Sequence, residues 1–255
     1  RRRDRRDEVE GGGSLGGPPD LHLDGDAVLG QVVGCLMKRP LGQLHTLEQE
    51  ICGPEPRRPY VVYTPMPAVL IVHGIWDSAA RIAPLAAALR ARGFDDVRTF
   101  DLSPNDGRAR IEQLAEQVAR EADALRPEPL DLIGFSMGAL VARYYLQRLG
   151  GKARVRRFVS ISGPHAGTLT AYGLGFAGVR QMRPGSALLR ELQLDPDPFG
   201  AVQVHCLYTP WDLMILPPRS GVLPGAHSVH SLPVRLHRWM LTDVRVVERV
   251  AALLR

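Results

Sequence analysis

The chain has 255 residues, 45% of them apolar, which is enough for one sizeable core with a short extension but not for two full domains. Its formal net charge of +5 is almost wholly arginine, spread along the chain without a basic stripe interleaved with aromatics, which argues against a nucleic-acid partner. No stretch is long and apolar enough to span a membrane, and Cys35, Cys52 and Cys206 are odd in number and far apart, which excludes a disulfide framework and a structural zinc site.

Residues 1–59 read as an N-terminal extension, partly disordered. A charged start, in which Arg1-Arg2-Arg3 and Arg5-Arg6 are nearly balanced by Asp4, Asp7, Glu8 and Glu10, runs into the linker-like Gly11-Gly12-Gly13-Ser14 and Gly16-Gly17-Pro18-Pro19. Two short helix-compatible stretches follow, Ala27 to Met37 and Leu41 to Ile51, and Pro54, Pro56 and Pro59 close the region. Nothing in it carries chemistry, and His22 and His45 read as surface residues. Val32-Val33-Gly34-Cys35 lacks the apolar leader of a lipoprotein cleavage box. No signal peptide is visible, which favours the cytoplasm; a leader missing upstream would make the protein secreted.

From residue 60 to 255 the chain alternates strand and helix, the pattern of a parallel sheet covered on both faces. The expected strands are Ala68 to Val72, Val97 to Leu102, Leu130 to Gly134, Arg154 to Ser162, Ala201 to Tyr208 and Ala226 to Ser231, six mostly parallel strands in an α/β fold. The expected helices run from Ala79 to Arg92, Gly107 to Leu125, Ala139 to Leu146 and about Thr242 to Leu254, the last with Val244, Val247, Ala251 and Leu254 as its core face. Residues 163–200 are longer than a connection requires and read as a cap or lid segment.

Within this alternation, Gly134-Phe135-Ser136-Met137-Gly138 lies between an apolar strand and a helix. A G-x-S-x-G turn in that context holds its serine in a strained conformation above the carboxyl end of the strand, with the helix N–H groups aimed at any negative charge forming there. Ser136 is therefore the candidate nucleophile. In a doubly wound sheet its partners belong on loops leaving the carboxyl ends of the strands. His73-Gly74-Ile75-Trp76-Asp77 is one such loop: its Ile75 N–H, with that of Met137, is the candidate oxyanion hole, Gly74 lets the backbone pass close to the substrate, and Trp76 is a candidate substrate contact. His73 reads as a positioning residue.

The loop Thr209-Pro210-Trp211-Asp212 supplies the acid, Asp212; Asp195 and Asp197 precede their strand and read as a turn. The base is sought downstream, where His237 is favoured over His230, and His227 lies beside the last strand. His165 has the wrong place in the order serine, acid, histidine and reads as structural or substrate-side. The apolar and glycine-rich residues of the cap segment, Leu174 and Phe176 among them, are the candidate acyl wall; failing that, the pocket is to be sought near Trp76 and Trp211.

These residues resemble the α/β-hydrolases, and within them the compact bacterial lipases and esterases, from about Ala68 to Arg255. The likeness rests on His73-Gly74-Ile75, Phe135-Ser136-Met137-Gly138, Gly163-Pro164-His165-Ala166-Gly167-Thr168 and the passage from Asp212 through Leu223-Pro224-Gly225-Ala226 to His237. It implies a Ser136–His237–Asp212 triad with Ile75 and Met137 as oxyanion donors, acting on carboxylic esters of a small-molecule or lipid substrate without cofactor or metal. Thioesterase, acyltransferase and a non-catalytic binding module are the alternatives. The family commonly has glycine before the histidine; Leu236 stands there instead, which keeps His230 in view.

Overall fold

The computed structural model describes residues 66–125 and 129–255. The expected extension, with its two helix-compatible stretches, Cys35 and Cys52, lies outside them. Six strands form one sheet: β1 Val69–Val72, β2 Val97–Thr99, β3 Leu130–Phe135, β4 Val155–Ile161, β5 Gln203–Tyr208 and β6 Ser228–Ser231, in the order β2-β1-β3-β4-β5-β6 with every neighbouring pair parallel. The four residues of β1 and the six of β3 are all buried, as strands of a sheet covered on both faces should be, although β3 carries Asp131.

Side chains alternate across each strand, so one set of positions points to each face. Leu70, Leu132, Phe158 and Val204 join a core with helices α2 (Ile111–Asp123) and α3 (Met137–Arg148). Ile71, Ile133, Val159 and Leu207 join a second core with α1 (Ala79–Arg90) and α6 (Val244–Leu254). Between β4 and β5 the chain forms the short helices α4 (Ala177–Gln181) and α5 (Ala187–Gln193); Leu188, Leu189 and Leu192 of α5 are buried against the first core.

Two helices, α2 and α6, start later than the apolar pattern suggests, because capping decides where they begin. Gly107 has a left-handed φ of 88° and Arg110 is extended, its N–H donating to the Gln113 side chain, so α2 begins at Ile111. The Asp243 carboxylate accepts from Arg245 N–H and starts α6 at Val244. That phase turns Val244 out to solvent, 61% exposed, and puts Val246 and Val250 into the core with Val247, Ala251 and Leu254, a correction to the expected core face.

Asp131, fully buried at the start of β3, is held by Arg156 of β4 through two bonds, Nε to Oδ1 at 3.1 Å and Nη2 to Oδ2 at 2.6 Å. Arg156 and Arg157 also donate to the Leu254 carbonyl, anchoring the last turn of α6. Burial raises the Asp131 pKa above the ordinary carboxylate value, and the attraction of Arg156 only partly offsets it. A carboxyl raised in this way favours folding below its unfolded pKa and loses that contribution as pH climbs through the folded one. Arg156→Met should therefore cost about 2 kcal/mol at neutral pH, less than a fully buried pair because Arg156 is itself partly exposed, and the deficit should shrink on acidification. Urea denaturation of both proteins across the acidic range checks this; an equal deficit at every pH would refute it.

Candidate active site

The sheet order reverses direction between β1 and β3: the chain goes outward to β2, then returns to build the other half. At such a switch point the loops leaving two adjacent strands diverge and open a crevice. Here those loops are His73–Asp77 after β1 and Ser136 after β3. Ser136 has φ 54° and ψ −127°, a backbone conformation that side chains rarely adopt, and it stands as the residue immediately before α3. Trp76, with φ 55°, carries similar strain on the facing loop.

The elbow's glycines are required by close approach. A Cβ on Gly134 would lie 2.5 Å from Ala139 Cα, and one on Gly138 would strike the backbone carbonyls of His73 and Val72. A Cβ on Gly74 would lie 3.0 Å from Ser136 Cβ, so the β1 loop and the serine are in contact. Gly138→Ala must push α3 away from β1 and should cost about 3 kcal/mol, since the atoms in the way are backbone. A drop in melting temperature on thermal unfolding is the check; an unchanged one would show that the helix can shift freely.

His73 is fully buried and its ring is committed. Nε2 accepts from Leu102 N–H at 2.9 Å, which puts the proton on Nδ1, 2.8 Å from the Gly74 carbonyl. It fixes the loop and has no nitrogen left for proton transfer. Trp76 N–H donates to the Asn105 carbonyl at 3.0 Å, and Met137 is the first residue of α3, where backbone N–H groups have no intrahelical acceptor.

Asp212 follows β5 and is 2% exposed. Its Oδ1 accepts from Met214 N–H and Ile215 N–H, each at 2.9 Å, and its Oδ2 accepts from His237 Nδ1 at 2.7 Å. Burial acts to raise its pKa, but the His237 bond and charge and the two backbone donors outweigh it, and the carboxyl is held below the ordinary value. His237 opens a 3-10 turn, His237–Leu241, after β6, and its ring lies against Phe135 with centroids 4.8 Å apart. With Nδ1 given to Asp212, Nε2 is the acceptor; it is buried and has no hydrogen-bond partner among the described residues. A half-buried imidazole of fixed tautomer with an unpartnered Nε2 can accept a proton and return it.

Ser136 and His237 line the same cleft, about 430 Å³, with Ile75, Trp76, Phe135, Trp211 and Met214. A smaller lobe of about 70 Å³ shares Ile75, Trp76, Ser136 and Met214 with it and is lined further by Leu174, Val179 and Met182. Of the expected acyl wall, Leu174, Val179 and Met182 line the small lobe. The cap segment supplies only the small lobe, and the main cleft is walled by Trp76 and by residues flanking Asp212 and His237. The reason is tethering: Thr168 and Thr170 hydroxyls donate to the Met214 carbonyl and Leu169 N–H to Leu216, which draws the segment down beside the Asp212 loop.

Two expected substrate contacts are also corrected. Phe176 lines neither lobe; its ring is covered by the Arg108 guanidinium, 4.8 Å from the centroid. His165 is 2% exposed, with Nε2 2.7 Å from Ser160 Oγ, and burial, with Arg143 nearby, holds it neutral. Its role is structural: the buried Arg143 of α3 donates to the His165 and Leu192 carbonyls and locks the cap onto the elbow helix. His230 is on the edge strand, bonded to Ser228 Oγ at 2.9 Å, and lines neither lobe. Missed in the sequence were Phe135, Leu213 and Met214, although bulky apolar residues directly beside a proposed serine and acid are a usable signal.

Residues 68–209 match the family model described as palmitoyl protein thioesterase. No curated protein matches the chain. Among solved structures, lipase B of Aspergillus fumigatus is similar at 15% identity with a TM-score of 0.62, over 73% of this chain and 52% of that one, so the match spans about half of the fungal lipase. The mature lipase BlEst2 of Bacillus licheniformis is similar at 14% identity and TM-score 0.62, over 74% and 92%. A structure from the work on the metagenome-derived lipolytic enzymes LipS and LipT is similar at 16% identity and TM-score 0.60, over 74% and 93%. At these identities the likeness is one of fold.

Proposed function

We propose that this chain, which belongs to the palmitoyl protein thioesterase family of the α/β-hydrolase superfamily, hydrolyses carboxylic esters of apolar acyl groups through an acyl-enzyme on Ser136. At the coarser level it is a hydrolase of the lipase, esterase and thioesterase type. The observation that carries the finer reading is the His237 imidazole, bonded to buried Asp212 through Nδ1 and unpartnered at Nε2, in the same cleft as the elbow serine.

Ser136 Oγ attacks the acyl carbon while its proton passes to His237 Nε2, and Asp212 stabilises the imidazolium. The oxyanion of the tetrahedral intermediate is held by the N–H groups of Ile75 and Met137, the second at the positive end of α3. As the intermediate collapses, the bond from carbon to leaving heteroatom breaks, and Nε2 gives its proton to the departing alcohol. Water then repeats the sequence on the acyl-enzyme, releasing the carboxylic acid and restoring the serine hydroxyl. Every proton is carried by His237, so the reading requires no metal.

A thioester is the second reading, favoured by the family match; the same steps apply with a thiol as leaving group. A fluorophosphonate probe should label Ser136, and an unlabelled folded protein would defeat the reading. A panel of matched acyl esters and thioesters of increasing chain length then decides the leaving atom by kcat/KM.

A further inference from the structure

The two lobes beside Ser136 differ in charge. Arg81, Arg235 and Arg238 line the lobe that holds His237, with Asp77 as the one carboxylate on it, whereas the smaller lobe has no ionisable side chain. Elsewhere several arginines are paired with carboxylates: Arg92 with Glu248, Arg148 with Glu191 and Asp195, Arg154 with Asp123, Arg245 with Asp243. The guanidinium groups of Arg81, Arg235 and Arg238 have no such partner among the described residues, and Asp77 Oδ1 is already accepting from Ser78 N–H at 3.1 Å. Like charges converging on one cleft repel each other until an anion enters.

Mechanism fixes which part of the substrate that anion belongs to. The imidazole that takes the serine proton must deliver it to the leaving heteroatom, so the leaving group lies on the His237 side of Ser136. The acyl group then runs the other way, past Trp76 and Met214 toward the uncharged lobe at Leu174. We infer that the leaving group carries a phosphate, which Arg81, Arg235 and Arg238 bind, so that the enzyme selects acyl esters or thioesters of phosphorylated alcohols or thiols. The inference rests on the acyl-hydrolase reading above. Guanidinium groups suit phosphate because their planar donors bond its oxygens in pairs. The phosphate is a spectator: it leaves unchanged on the departing alcohol or thiol as the acyl bond to Ser136 Oγ forms.

The phosphate could come from a soluble carrier or a lipid headgroup, and the test separates them. Fluorophosphonate labelling of Ser136 is checked first; without it the hydrolase reading fails and this inference with it. Unlabelled enzyme from the same preparation is then given two matched pairs with the same acyl chain: thioesters of pantetheine and of 4′-phosphopantetheine in solution, and acylglycerol and acylglycerol phosphate in neutral vesicles. The phosphorylated member should have about tenfold higher kcat/KM in both pairs, a difference of about 1.4 kcal/mol. The preference should fade at high salt. The double variant Arg235→Gln/Arg238→Gln should bring that ratio toward one through a higher KM for the phosphorylated member, and Arg81→Gln, on a different element, should move it the same way. Arg120→Gln, on α2 away from the cleft, should leave the ratio unchanged. Equal kcat/KM within the soluble pair, a preference confined to vesicles, or a ratio untouched by the cleft variants would each overturn the inference.

Discussion

Ser136→Ala should lower ester turnover by roughly 10³-fold or more and leave the protein folded. The side chain loses one oxygen at a site that is 8% exposed, and among the described residues no group is hydrogen-bonded to that oxygen. The backbone bonds that hold the elbow remain: Ser136 N–H to the Ile161 carbonyl at 2.9 Å and Ala139 N–H to the Ser136 carbonyl at 3.0 Å. Far-ultraviolet circular dichroism and the melting temperature should match the parent, while fluorophosphonate labelling vanishes. A folded variant with activity comparable to the parent would remove Ser136 as nucleophile.

His237→Ala should have a similarly large effect, on the order of 10³-fold, because it deletes the group that takes and returns the proton. The matching substitution His230→Ala should change turnover by less than about twofold. The contrast follows from position. His237 reaches Asp212 at 2.7 Å and lines the cleft with Ser136; His230 is engaged with Ser228 on the edge strand, three strands along the sheet from β3. Burial, with Arg249 beside it, lowers the His230 pKa. Steady-state kinetics of both purified variants on one ester decides the matter, and inactive His230→Ala with active His237→Ala would reverse the proposal.

The charged lobe gives these predictions a wider setting. If the leaving group binds among Arg81, Arg235 and Arg238, its heteroatom is delivered to the face of His237 that Asp212 does not occupy. Recognition and proton transfer are then coupled by geometry, since Arg235 and Arg238 flank His237 in the chain. Nothing in the spacing of Arg235 and Arg238 distinguishes them from the other arginines; only their place on the cleft with Ser136 and His237, seen in three dimensions, does so.

Residue order alone determined the strand count, the parallel sheet and the elbow. Those depend on short-range physics: continuous apolar runs bury in covered strands, and a glycine-flanked serine between strand and helix has few conformations open to it. Residue order favoured His237 but left His230 open, because both follow the acid in sequence and only the paths of β6 and the turn after it decide which ring meets Asp212. The extent of the pocket lay beyond it for the same reason. Composition showed that residues 163–200 are apolar and glycine-rich, but not that Thr168 and Thr170 would bind the Met214 carbonyl and bring that segment down over a small lobe. Val244 shows the limit at its smallest scale: the helical period was legible, yet the Asp243 cap set its phase and turned that side chain outward. Local pattern specifies which elements form; long-range hydrogen bonds and packing specify which of their side chains meet, since those contacts join residues whose separation in the chain carries no information about their distance in space.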